Sequence, residues 1–105
     1  MHQGETKGTL GPLHKGEAMR TIWKYRIEGA GPRSNTVYIP GEYKLLHTDY
    51  QAGWICVWVE VNPDVESIPV EFLIVPTGGK VPRATYVGTA QSPPYVWHIY
   101  VKEPS

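Results

Sequence analysis

Several residue types and patterns are scarce in this chain, and each scarcity excludes something. There is one cysteine, Cys56. A single thiol closes no internal disulfide, and no second zinc ligand stands at pair spacing from it. Cys56 lies inside an apolar run and reads as a small buried hydrophobe, which fits a reducing, cytoplasmic setting. Neither sign of charge is in excess: 10 basic and 10 acidic residues give a formal net charge of +0. Nucleic acid, which is drawn to clearly basic domains, is therefore not an expected partner, and neither is an anionic membrane surface. No run reaches the roughly 18 apolar residues of a spanning helix, and the N-terminus lacks the apolar segment of a secretory signal. Serine is sparse, and no Gly-x-Ser-x-Gly elbow occurs. No apolar set recurs with helical period, so no helix is predicted. Phenylalanine occurs once, against 4 Trp and 7 Tyr.

What is present is a chain of 105 residues punctuated by 10 prolines and 11 glycines. This is one domain's worth, large enough for a core without staples. Residues 1–18 are set apart by Gly4, Gly8, Gly11 and Gly16, by His2 and His14, and by having only Leu10 and Leu13 as aliphatics. Such a segment buries too little to offset its ordering, so a disordered N-terminal arm is expected, with Met19 as the natural start of a single all-β domain, residues 19–105.

Period-2 alternation then takes over. Residues 21–27 place Trp23, Tyr25 and Ile27 on one face. Residues 29–33 read as a turn or loop. Residues 35–39 turn Val37 and Ile39 inward, Pro40-Gly41 turns the chain, and residues 42–50 form a longer strand. Gln51-Ala52-Gly53 closes a hairpin into residues 53–61, the most apolar stretch. There Ile55, Val57, Val59 and Val61 share one face and Trp54, Cys56, Trp58 and Glu60 the other, a pattern expected of a central strand covered on both sides. Asn62-Pro63-Asp64 stops it. Residues 68–75 follow with Ile68, Val70, Phe72 and Ile74 on one face. Residues 85–90 carry Gly88 as a bulge signal. In residues 95–102, Tyr95, Trp97, Ile99 and Val101 point inward. About seven short strands predict a small antiparallel sandwich or a barrel, between which the pattern does not choose.

Catalytic constellations are not found. His47, Asp49 and His98 would have to meet across strands to bind a metal, and Glu60 and Glu71 would have to converge to act as an acid–base pair. No metal site, cofactor or catalytic residue is expected. Pro76-Thr77-Gly78-Gly79-Lys80 has a glycine loop beside a lysine but lacks the spacing and following helix of a phosphate loop; at most it offers N–H groups and Lys80 to an anion. The positive signal is aromatic. Trp54 and Trp58 share a face, and Tyr38, Tyr50, Tyr86 and Tyr100 stand where a core does not require them. Exposed together, such rings form a patch for a partner; beside Lys24 and Arg26 they suit single-stranded bases too, which the zero net charge disfavours.

From Met19 on, the chain resembles a family of small uncharacterised proteins of bacteriophages and bacterial genomes. Met19-Arg20-Thr21-Ile22-Trp23-Lys24-Tyr25 matches the opening Met-Lys-Thr-Ile-Trp-Lys-Tyr. The segment from Ile39 to Leu45 is similar to Met-Pro-x-Gly-Ala-x-x-Leu, with a residue fewer after the proline. Trp58-Val59-Glu60-Val61-Asn62-Pro63 resembles Trp-x-x-Val-[Asp/Asn]-Pro, Pro76-Thr77-Gly78 a Gly-Thr-Gly-like loop, Tyr86-Val87-Gly88-Thr89 a Tyr-[Ile/Val]-Gly-Thr strand, and the segment from Val96 to Tyr100 Val-Trp-His-[Ile/Val]-[Phe/Tyr]. The departures, Gly78-Gly79-Lys80 and Ser92-Pro93-Pro94, fall in loops. The resemblance implies a short, phage- or prophage-associated cytoplasmic protein and assigns no activity.

The expected function is therefore non-enzymatic: binding of a protein partner, a host factor among the candidates, or self-association, with Trp54, Trp58, Tyr50, Tyr100, Lys80 and His98 as candidate binding residues. The alternatives are an oligomer that sequesters a nucleotide-like ligand in an anti-defence role, and a structural virion or assembly component.

Overall fold

The computed structural model describes residues 19–28 and 33–102. The arm expected at residues 1–18 lies outside the described residues, as does most of the turn expected at residues 29–33. Seven strands follow one another: β1 (Thr21–Glu28), β2 (Arg33–Pro40), β3 (Tyr43–Gln51), β4 (Trp54–Val61), β5 (Ser67–Pro76), β6 (Thr85–Ser92) and β7 (Tyr95–Lys102). They form two antiparallel sheets, a three-stranded one ordered β1-β4-β3 and a four-stranded one ordered β2-β5-β7-β6. The chain is thus an all-β sandwich, not a barrel.

The alternation dictates the packing. Ile55, Val57, Val59 and Val61 of β4 are all 0% exposed and face Val70, Phe72, Ile99 and Val101 of the second sheet, also 0% exposed. Side chains of this size contribute roughly 1.5–3 kcal/mol each on full burial, so this double layer dominates stability. Trp23, Tyr25, Tyr43, Leu45 and Tyr50 pack round its margin.

Turn chemistry sets the registers. Ala52 (φ 51°) and Gly53 (φ 89°) both take the left-handed conformation, which a two-residue β3–β4 hairpin requires. At the end of β4, the Asn62 side chain accepts from Asp64 N–H at 3.1 Å and donates to Glu42 Oε1 at 3.2 Å, while Val65 N–H closes a turn on Asn62 C=O at 3.1 Å. The bulge signalled by Gly88 is real: the β6–β7 register shifts between Tyr86 and Gly88. A Cβ on Gly88 would stand 2.5 Å from Thr48 Cγ2, so the missing side chain lets β6 close against β3.

Two expectations need correction. Strand β4 is central in its sheet, yet only its inner face is covered by the other sheet, because no third layer exists among the described residues; Trp54 remains 39% exposed. Tyr95, expected inward, is 58% exposed, since it opens β7 at the end of the sheet and stacks on the buried Trp97 at 5.5 Å.

Candidate binding faces

The outer face of the three-stranded sheet is built in rows by the ladder. Lys24, Trp58 and His47 form one row, Arg26, Cys56 and Asp49 the next, and Trp54 with Gln51 the third. Lys24 Nζ lies 5.8 Å from the Trp58 ring centre and donates to Gln51 Oε1 at 2.6 Å. Because β4 runs between β1 and β3, that hydrogen bond passes over β4 between the two tryptophans and places Cys56 beneath it. Cys56 is accordingly 1% exposed although it belongs to the outer face. Arg26 Cζ stands 5.1 Å from the Trp54 ring, and His47 packs on Trp58 at 5.7 Å. Each tryptophan thus carries a cation at cation–π range. Of the acids nearby, Glu60 is engaged by Arg20 at 3.5 Å and Asp49 by His47 at 3.9 Å.

Burial pushes the Cys56 thiol above its ordinary pKa; Lys24 and Arg26 pull in the opposite direction and Asp49 adds to the rise. The thiolate needed for nucleophilic chemistry is therefore disfavoured at neutral pH.

The opposite outer face, on the four-stranded sheet, holds a chain of polar contacts that the sequence did not announce. Thr77 Oγ1 meets His98 Nε2 at 2.8 Å, Thr89 Oγ1 meets His98 Nδ1 at 3.1 Å, and Tyr86 OH meets Thr89 Oγ1. Thr89 faces His98 across the β6–β7 ladder, and Tyr86 also packs edge-on against Tyr100 at 5.5 Å. Both ring nitrogens of His98 are thereby engaged by hydroxyls. Beside it the loop after β5 folds back: Gly79 N–H donates to Pro76 C=O at 2.9 Å across Thr77 and Gly78, with Gly78 at φ 93°, as a type II turn requires. The turn, Val75, Val81, His98 and Tyr100 line an open pocket of about 250 Å³. A larger hollow of about 560 Å³ opens between the edges of the two sheets, lined by Tyr43, Leu45, Ile68, Tyr86, Val87 and Val101, without a charged group.

The candidate residues therefore fall into separate places. Trp54 and Trp58 share the face of the three-stranded sheet. His98 and Tyr100 line the pocket on the other side of the sandwich, and Lys80 is exposed in its loop but does not line it. Tyr50 pairs with Ile55 and packs against the core. His47 and Asp49 lie on the face opposite His98, and Glu60 and Glu71 lie on different sheets, so neither envisaged constellation assembles. Among the described residues no group of three or more His, Cys, Asp or Glu converges as a metal site. Thr77 and Thr89 escaped the sequence reading because only the β5–β7 and β6–β7 registers bring them to His98, and Tyr86, read there only as an aromatic, joins them through Thr89.

A family model matches residues 19–105 and with them all seven strands. The chain belongs to the family described as Domain of unknown function (DUF7352). No curated protein and no solved structure matches it. In this DUF7352 chain no helix among the described residues is long and apolar enough to cross a membrane.

Proposed function

We propose that the chain is a non-catalytic binding module that holds an acidic, extended segment of a partner protein on the outer face of the three-stranded sheet. The observation that carries this is the pair Trp54 and Trp58, two rows apart on a sheet face that no second layer covers among the described residues, each with a cation over its ring. Trp and Arg are the side chains that dominate binding energy at interfaces, and here the ladder has already fixed them. Lys24 and Arg26 supply charge that carboxylates of the partner would meet. The resemblance to phage and bacterial proteins supports a host-cytoplasm setting and makes a host factor the natural partner class.

The test is capture of peptides from a random library by the wild type and by the Trp54→Ala/Trp58→Ala double variant. Acidic sequences should be enriched by the wild type, with affinity falling at least tenfold in the double variant and in Arg26→Glu. Capture that is indifferent to all three substitutions would refute the assignment.

The pocket beside His98 supports a second reading, sequestration of a nucleotide-like ligand. Its observation is the open pocket that Thr77, His98 and Tyr100 line beside a glycine turn next to Lys80. At about 250 Å³ it is just below the usual range of ligand pockets, so it suits a base or a phosphate and not a dinucleotide. A thermal-shift screen against mono-, di- and cyclic nucleotides decides this; no shift with any of them ends it.

A further inference from the structure

The four sheet edges of this sandwich are unequal. Three are interrupted: β1 shifts register between Arg26 and Glu28, β3 between Leu45 and His47, and β6 between Tyr86 and Gly88. Two of them also carry charge, Lys24 and Arg26 on β1 and Lys44 and Asp49 on β3, and β6 is closed against β3 at Gly88 and Thr48. Bulges, charges and covering are the devices that keep edges from pairing. Strand β2 has no bulge, its one charge and its one proline stand at its two ends, Arg33 and Pro40, and among the described residues no strand pairs with its outer edge. It runs in unbroken register from Arg33 to Pro40 opposite Ile74 to Ser67, and from Ser34 to Pro40 it has no charged residue. It also presents the exposed ring of Tyr38.

The ladder shows which of its backbone groups β5 leaves unused. Facing residues in an antiparallel pair alternately exchange two bonds or none. Gly41 N–H bonds to Glu66 C=O at 2.9 Å in the continuation of the β2–β5 register, so the odd-numbered residues of β2 bond to β5. Thr77 N–H bonds to Val96 C=O at 3.4 Å in the continuation of β5–β7, so the odd residues of β5, including the partners of Ser34, Thr36 and Tyr38, bond the other way. Pro69, which lacks an N–H, accordingly faces Tyr38, where β2 asks nothing of it. The N–H and C=O groups of Ser34, Thr36 and Tyr38 therefore point out of the sheet edge.

We propose that β2 is a homodimerisation edge, pairing antiparallel with β2 of a second copy about a two-fold axis at Thr36. Two-fold pairing sets every side chain against its own copy's sequence, so any charge near the axis would meet a like charge; the neutrality of β2 removes that obstacle where β1 and β3 keep it. A centre at Thr36 is the one that makes all outward groups bond: Thr36 faces Thr36 and Ser34 faces Tyr38, each pair exchanging two hydrogen bonds. The two four-stranded sheets then become one continuous sheet, and the tryptophan faces remain free.

The experiment is sedimentation velocity on the full chain, over concentrations reaching about 1 mM so that millimolar affinities are covered. Hydrogen exchange is followed at Ser34, Thr36 and Tyr38. The wild type should move towards twice its monomer mass of 11.8 kDa, with those three amides slowing in step. Thr36→Lys and Thr36→Glu should each be monomeric, and their mixture should recover a heterodimer. Thr36→Pro removes an outward donor and no ladder bond, and should be monomeric as well. A wild type monomeric throughout refutes the proposal, whether its β2 amides exchange freely or are protected by another segment of the same chain. So does a dimer that survives both charge variants.

Discussion

Ala52 occupies a position where its backbone is out of place. With φ at 51° it holds the left-handed conformation, which costs an L-residue other than glycine or asparagine about 1–2 kcal/mol. The two-residue hairpin demands it there, and the favoured pair is Asn-Gly. Ala52→Asn should therefore stabilise the protein by about 0.5–1 kcal/mol, a Tm rise of roughly 2–8 °C by calorimetry. Cys56 makes a different point, about pH. Its thiol is held neutral by burial under the Lys24–Gln51 bridge, so its native pKa lies above the unfolded one. The stability this contributes is complete below the ordinary thiol value, and it is lost as the pH climbs through that value and past the higher native one. Tyr25, also pushed up by burial, acts with the same sign at more alkaline pH. Urea unfolding should show stability declining from about pH 8.5 upward. The early part of the decline should vanish in Cys56→Ala, while the part from Tyr25 remains.

At the scale of elements, the sequence spoke clearly about strands and poorly about their neighbours. Alternation, helped by turn residues where the pattern was mixed as in β3 and β6, located all seven within a few residues, because inward apolar side chains at alternate positions are a local signal. It said nothing of β1 pairing with β4 or β2 with β5, which depend on contacts distant in sequence. For the same reason it left His47 and His98 free to meet, when the sandwich separates them, and kept Thr89 out of the His98 site, when the β6–β7 ladder places it there. Gly88 shows how one local feature serves a distant pairing. Its bulge was legible, but its partner Thr48, on another sheet, was not. Thr48 also donates to Cys56 C=O at 2.9 Å, so it is fixed and cannot retreat from a new methyl. Gly88→Ala should cost about 1–3 kcal/mol by overpacking. Thr48→Ser deletes the clashing Cγ2 and keeps the hydroxyl, so Gly88→Ala combined with Thr48→Ser should recover much of the loss. Additive losses in that double-mutant cycle would show that the two strands are not coupled at this point.

For the whole molecule, the division of aromatic residues separates folding from binding. Phe72, the one phenylalanine, is 0% exposed in the layer between the sheets, whereas Trp54 and Trp58 stand on a face that no sheet covers among the described residues. Truncation of a buried phenylalanine costs about 3–5 kcal/mol, which rivals the whole stability of about 5–10 kcal/mol expected for a domain of this size. Phe72→Ala should therefore keep only about 0–7 kcal/mol and melt roughly 12–40 °C below the wild type by calorimetry. Trp54→Ala and Trp58→Ala lose mainly a cation–π contact and partial burial, about 1 kcal/mol each, and should unfold cooperatively with Tm lowered by only several degrees. If the tryptophan variants proved as damaging as Phe72→Ala, the outer face would be part of the folding core and unsuited as a binding surface. If they stay folded while peptide capture is lost, the sandwich is a scaffold whose stability resides between the sheets and whose specificity resides outside them.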